Sequence, residues 1–131
     1  MIWSSERTIE LNSELTDILK NKYPLICPSY FSCDDGWYNI ISNVLYVCGD
    51  HADRRLKDFK FVQIKEKFGG LRMYAEGADD FINGVVRMAE NLSYHTCEIT
   101  GKEGYLCSNG RLLKTLCAEE AEKLGFEKYK K

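Results

Sequence analysis

Phe59-Lys60-Phe61-Val62-Gln63-Ile64-Lys65-Glu66-Lys67-Phe68-Gly69-Gly70-Leu71-Arg72-Met73-Tyr74-Ala75 is the stretch that decides the fold. Two runs with period-two alternation, Phe59 to Lys67 and Leu71 to Ala75, flank Phe68-Gly69-Gly70. Glycine lets a chain reverse tightly, so the pattern predicts an antiparallel β-hairpin. Side chains alternate across a strand. Gln63, Lys65 and Lys67 therefore share one face of the first strand, and Arg72 and Tyr74 share one face of the second. The opposite faces carry Val62, Ile64 and Phe68, and Leu71 and Met73, which predicts a surface that packs on helices.

Working outward, helical signals lie on both sides. Asn12 or Ser13 can cap a first helix with Leu15, Ile18 and Leu19 on one face and Pro24 as its stop. Tyr23 to Ser32 holds both prolines and reads as an irregular loop. Asp34-Asp35 opens a second helix at Gly36-Trp37, with Trp37, Ile40, Ile41, Val44 and Cys48 at the spacing of a buried stripe and Gly49 as its stop. A polar link follows from His51 to Arg55. Asp79-Asp80 can cap a third helix whose Ile82, Val85, Val86, Ala89 and Leu92 face the core. Thr96 onward is turn-rich until a short helix from about Cys117 to Leu124, ended by Gly125, and the lysine-rich end reads as a frayed tail. The sum is an α+β domain spanning 1–131, with three helices around a short antiparallel hairpin in 1–95 and a separate C-terminal segment in 96–131.

The chain has 131 residues, enough for one core without staples. Its 18 basic and 20 acidic residues leave a net charge of −2, which argues against a protein that lives on nucleic-acid backbone contacts. No apolar run reaches the roughly 20 residues of a membrane span, so no membrane partner is expected. The start, Met1 to Arg7, lacks the pattern of a signal peptide. With that, the six cysteines are expected as free thiols in a cytoplasmic protein.

Four segments carry a resemblance. Cys97-Glu98-Ile99-Thr100-Gly101 and Thr115-Leu116-Cys117-Ala118-Glu119-Glu120-Ala121 close the chain, after Gly36-Trp37-Tyr38 and Gln63-Ile64-Lys65-Glu66-Lys67-Phe68-Gly69-Gly70-Leu71-Arg72. Together they resemble a widespread family of small, mostly uncharacterised phage and prophage proteins, over about Asn12 to Ala121. That family shows Cys-x-x-Cys-Gly, then Thr-Leu-Cys-x-x-His-Ala, which implies a C-terminal zinc-ribbon or treble-clef-like segment. Structural zinc takes four nitrogen or sulfur ligands. Here Thr100 stands at the second cysteine and Glu120 at the histidine, so the resemblance implies a degenerate ribbon with no metal and no cofactor. Cys107 could supply a third thiolate, but it falls in a turn outside the pattern. The alternative is that Cys97 and Cys117 are buried thiols, with Tyr105, Leu106, Leu112, Leu113 and Leu116 holding the shape by packing.

The hairpin carries the most suggestive chemistry. Lys65, Lys67 and Arg72 offer positive charge, Gly69-Gly70 offers amides for an oxyanion, and Tyr74 or Trp37 offers an aromatic face. The candidate ligand-binding set is Trp37, Tyr38, Gln63, Lys65, Lys67, Gly69, Gly70, Arg72 and Tyr74. Its bland reading is the solvated face of a half-buried sheet joined by an ordinary turn. No nucleophile motif, phosphate loop or dinucleotide fingerprint is present, and His51 and His95 stand in no recognisable catalytic spacing. The chain is thus expected to be a non-enzymatic, homo-oligomeric binding protein. Its first candidate partner is a small nucleotide-like anion, in keeping with a phage anti-defence protein that sequesters a signal. A protein-binding inhibitor of a host factor is the second, and a nucleic-acid-binding ribbon the third.

Overall fold

The protein is described from a computed structural model, over residues 10–130. The signal-peptide reading of Met1 to Arg7 therefore lies outside the described residues. The described residues form a mixed α+β fold with four α-helices and two small antiparallel sheets.

Helix α1 (Ser13–Lys22) is capped by Asn12, whose side chain accepts from the Glu14 and Leu15 amides. Leu19 is buried and Leu15 is half-buried, but Ile18 is 46% exposed, contrary to its expected place in the stripe. A 3-10 turn (Asp35–Trp37) leads into α2 (Tyr38–Arg55), and the Asp34 carboxylate accepts from the Asp35 amide. Ile41, Val44, Leu45, Cys48 and Ala52 are buried along it. The expected stop at Gly49 does not occur: the helix runs on through His51 to Arg55. Gly49 instead gives room for the preceding loop, since a side chain there would meet Ile26 Cδ1 at 3.3 Å.

Strands β1 (Lys60–Lys67) and β2 (Gly70–Glu76) form the hairpin. Its loop has two residues, Phe68 and Gly69, at φ 53° and 85°, the signs of a type I′ turn. Gly70 is already in the strand. A bulge between Phe61 and Gln63 absorbs Val62, which is 46% exposed, and Phe68 at the tip is 64% exposed. Both were expected to face inward, and the bulge and the turn take them out of the alternation. Ile64 and Met73 pair across the ladder and are buried. Ser32 lies along the outer side of β1, its amide donating to Ile64 O and its carbonyl accepting from the Glu66 amide.

Helix α3 (Asp80–Ser93) is capped by Asp79, which accepts from the Ile82 amide, and packs on α2 and β2. Ile82 and Ala89 are buried and Val85 and Val86 half-buried, whereas Leu92 is 47% exposed rather than in the core. The C-terminal stretch is more regular than its turn-rich sequence suggested. Strands β3 (Tyr105–Ser108), β4 (Leu113–Leu116) and β5 (Glu127–Lys128) form a sheet in the order β4-β3-β5, with α4 (Ala118–Leu124) ended by Gly125. The expected frayed tail is partly ordered: Phe126 is buried and Glu127–Lys128 pairs with β3.

Buried apolar residues form two clusters, one within Leu11–Ala89 and one within Cys97–Phe126. No helix among the described residues is long and apolar enough to cross a membrane. The six cysteines are free thiols.

Candidate functional site

The four segments that carry the resemblance meet at one junction. At its centre Lys114 of β4 is 4% exposed, with Nζ 3.0 Å from Glu66 Oε1 and 3.5 Å from Glu98 Oε1. Glu66 lies on the Ile64 side of β1 and uses its other oxygen to accept from the Gly69 amide at 2.8 Å. Glu98 is fully buried, and its Oε2 accepts from the Asp34 amide at 3.0 Å. Burial pushes the Glu98 carboxyl up to about 7, against the pull of Lys114 and with the push of Glu66. The network spends one cation on two carboxylates in a place with little water.

Backbone contacts seal the same junction. The Gly36 amide donates to Glu98 O at 2.6 Å, and Trp37 Nε1 donates to Thr96 O at 2.9 Å. A Cβ on Gly36 would collide with the carbonyls of Cys97 and Glu98, so only glycine allows this approach. The Gly69 carbonyl accepts from Thr115 Oγ1 at 2.7 Å, and a Cβ there would strike Leu106.

This geometry locates the nine nominated residues. Gln63 pairs with Tyr74, Lys65 with Arg72, and Lys67 with Gly70, so the expected cross-strand face exists. Gln63, Lys67 and Tyr74 are exposed on it, and Lys65 is half-buried. The others are already engaged. Trp37 is fully buried and has no face for an external ring. Tyr38 begins α2 and packs against the core. Gly69 and Gly70 are buried, and the Gly69 amide is held by Glu66. Arg72 Nη2 donates to the Tyr94 hydroxyl at 3.1 Å, and its Nη1 lies 3.0 Å from Glu90 Oε2, off the line of an N–H. A Cβ on Gly70 would meet that same Tyr94 ring.

The Cys97, Thr100 and Cys117 positions also come together. The Thr100 amide donates to Cys97 Sγ at 3.4 Å, and its hydroxyl donates to Cys117 Sγ at 3.7 Å. Burial pushes the Cys117 thiol up, but the Glu120 amide, the Thr100 hydroxyl, the Cys97 thiol and the Glu119 amide together bring it below the usual thiol value. Glu120 turns away to Lys123, 3.4 Å off. Cys107 Sγ points to Tyr105 O at 3.3 Å. Among the described residues, no group of three or more His, Cys, Asp or Glu side chains is arranged to hold a metal ion.

Two other places combine polar groups with burial or a concave surface. His51 Nε2 sits 2.7 Å from Asp79 Oδ2 and the ring stacks on Phe81, which ties α2 to α3. A cleft of about 820 Å³ opens between Tyr23–Ile26, the end of α2 and the start of β1. None of the nine nominated residues lines it. Its acids, Asp50, Asp53 and Asp58, alternate with Lys22 and Lys57, and Lys60 is paired with Glu76, so no single ligand charge is selected. Searches against family models, curated proteins and solved structures give no match.

Sequence reasoning missed Glu66, Glu98 and Lys114. Glu66 was readable, since period-two alternation places it on the Ile64 face, where an acid demands a partner. Glu98 and Lys114 gave no such signal, because four-residue strands and a turn carry no period.

Proposed function

We propose that the protein is a non-enzymatic binding protein whose contact point is the tip of the hairpin and whose partner is another protein. Phe68 carries this reading. It is 64% exposed and sits at φ 53°, a region that a bulky side chain rarely enters. Such conformations persist where the surroundings impose them, and they concentrate at contact sites. Here the Glu66 carboxylate, Gly69 and Thr115 fix the turn on β4, which aims the ring outward. Lys67 Nζ lies 5.7 Å from the ring centroid, so the complementary surface is an apolar pocket with an acidic rim. In the light of the phage-type resemblance, that surface belongs to a host protein.

The test is retention of a host protein by immobilised wild type and not by Phe68→Asn. Equal retention by both baits would remove Phe68 from the site.

A second reading rests on the register that sets Gln63, Lys65, Lys67 and Tyr74 on one face. A small nucleotide-like anion would lie there, without the Gly69 amide or a free Arg72. A rise in melting temperature with any member of a nucleotide panel, together with no retained protein, would decide for it. The Thr100 bonds to both Cys97 and Cys117 support the further reading of a degenerate zinc-ribbon-like segment. There the threonine hydroxyl takes the structural place of a ligand.

A further inference from the structure

Helix α3 has two apolar stripes, and only one of them faces the core. Ile82, Val86, Ala89 and Ser93 point inward, the first, third and fourth of them fully or nearly fully buried. Roughly 100° around the helix lies a second row, Phe81, Val85, Met88 and Leu92. Phe81 is 49% exposed, Met88 66% and Leu92 47%, and Val85 is half-buried. Met88 and Leu92 on this face are left largely to solvent, and Phe81 is half open, with its ring also stacked on His51.

The spacing of this row is 4, 3, 4, the alternation of a coiled-coil seam. It is also a palindrome. Read backwards it gives the same intervals, so a second α3 running antiparallel sets Phe81 against Leu92 and Val85 against Met88 at both ends of a twofold axis. A copy of the chain supplies the matching order by construction.

The flanks agree with a second copy. Gly84 and Asn91 border the row on its solvent side, and neither is charged. No like charges are brought together when the helix meets itself. A Cβ on Gly84 would touch nothing within 4 Å, which leaves space for a partner's side chain beside the seam. A lipid surface would call for basic flanks, and α3 carries Arg87 against Asp80 and Glu90. Met88, unbranched and adaptable, stands near the axis.

We infer that the protein self-associates as a twofold dimer through the Phe81–Val85–Met88–Leu92 face of α3. A contact between two helices of 14 residues covers roughly half of the ~800 Å² per partner of a standard interface. The dimer therefore stands at the weak end of specific interfaces.

Sedimentation equilibrium of wild type across a concentration series tests this, with melting by circular dichroism as the control for folding. The wild type is expected to dimerise, and Met88→Glu to lose at least tenfold in association while melting as before, because Met88 lies on the surface. Val85→Lys is expected to be monomeric as well. Mixing the two variants should restore a dimer, since antiparallel pairing sets Lys at 85 against Glu at 88 of the partner. A wild type that stays monomeric at hundreds of micromolar would overturn the inference. So would a Met88→Glu dimer of unchanged strength, or a mixture that fails to associate when each variant is folded. Binding of monomeric wild type to anionic vesicles through this face would overturn it too.

Discussion

Lys114 Nζ stands 3.5 Å from Glu98 Oε1, and neither side chain is more than 5% exposed. The pair joins β4 to the Cys97–Thr100 turn, and Glu66 brings the hairpin into the same contact at 3.0 Å. The surrounding titratable groups are Asp34 and Cys33, from the segment before α2, so the negative side of the network is crowded.

The Glu98 carboxyl sets a pH dependence. Its folded value of about 7 lies above the ordinary 4.5, so the native state holds a proton that the unfolded chain has lost between those values. Its contribution is complete below about 4.5, is lost as pH rises through about 7, and is flat beyond. The full span amounts to about 3 kcal/mol. Denaturant unfolding of wild type and Glu98→Gln between pH 4.5 and 8 should show a falling stability in the first and a flatter profile in the second.

Lys114→Met leaves Glu66 and Glu98 facing each other without their shared cation. Removing one partner of a buried pair costs about 3–5 kcal/mol. Urea midpoints should fall accordingly at pH 8. The loss should be smaller at pH 5, where Glu98 is protonated and needs no counter-charge.

Gly36→Ala tests the seal of the junction. The new methyl would meet the Cys97 and Glu98 carbonyls, which are backbone and cannot swing away. A loss of about 3 kcal/mol is expected, near the top of the range for overpacking. Hydrogen exchange should show the weakening at the Gly36 and Asp34 amides first.

Phe68→Asn should raise stability by about 1 kcal/mol. Asparagine tolerates positive φ, and Asn-Gly is the favoured pair for this turn. Little packing is lost, because the ring is mostly in solvent. A higher melting temperature with partner binding lost would be the trade expected of a strained contact residue.

Thr100→Cys combined with Glu120→His supplies the two zinc ligands that the resemblance places there. The double variant should bind one zinc per chain by elemental mass spectrometry, and its melting temperature should fall on chelation. Wild type, with two thiols and a threonine, should melt at the same temperature with and without the chelator.

Much of the fold was legible because it rests on local rules. Asn12, Asp34 and Asp79 cap as their side chains dictate, and Gly125 ends α4 at φ 75°. The two glycines of the hairpin marked a turn, though its centre is one residue earlier than the Gly-Gly pair suggests. The errors came where tertiary contacts override local pattern. Gly49 does not stop α2, since the helix is held by packing on both sides. Leu92 matches an inward spacing yet faces out, because the core stripe of α3 is narrower than its apolar surface. The nominated anion site failed to assemble in full for a related reason. Trp37, Gly69, Gly70 and Arg72 do have the chemistry to bind a ligand, but the chain's own C-terminal segment and α3 reach them first.

The bonds that close the junction also dictate when the protein can finish folding. Trp37 Nε1 bonds to a carbonyl 59 residues downstream, and the Asp34 amide to a carboxylate 64 residues downstream. During synthesis, α1, α2 and the hairpin emerge well before Cys97 and Lys114 exist. Through that interval Glu66 lacks Lys114 and Trp37 Nε1 lacks the Thr96 carbonyl, so the N-terminal three-quarters is made before these closing bonds can form. A ribosome stalled anywhere before β4 would hold a nascent chain that chaperones can still bind. The junction itself closes only when β4 arrives.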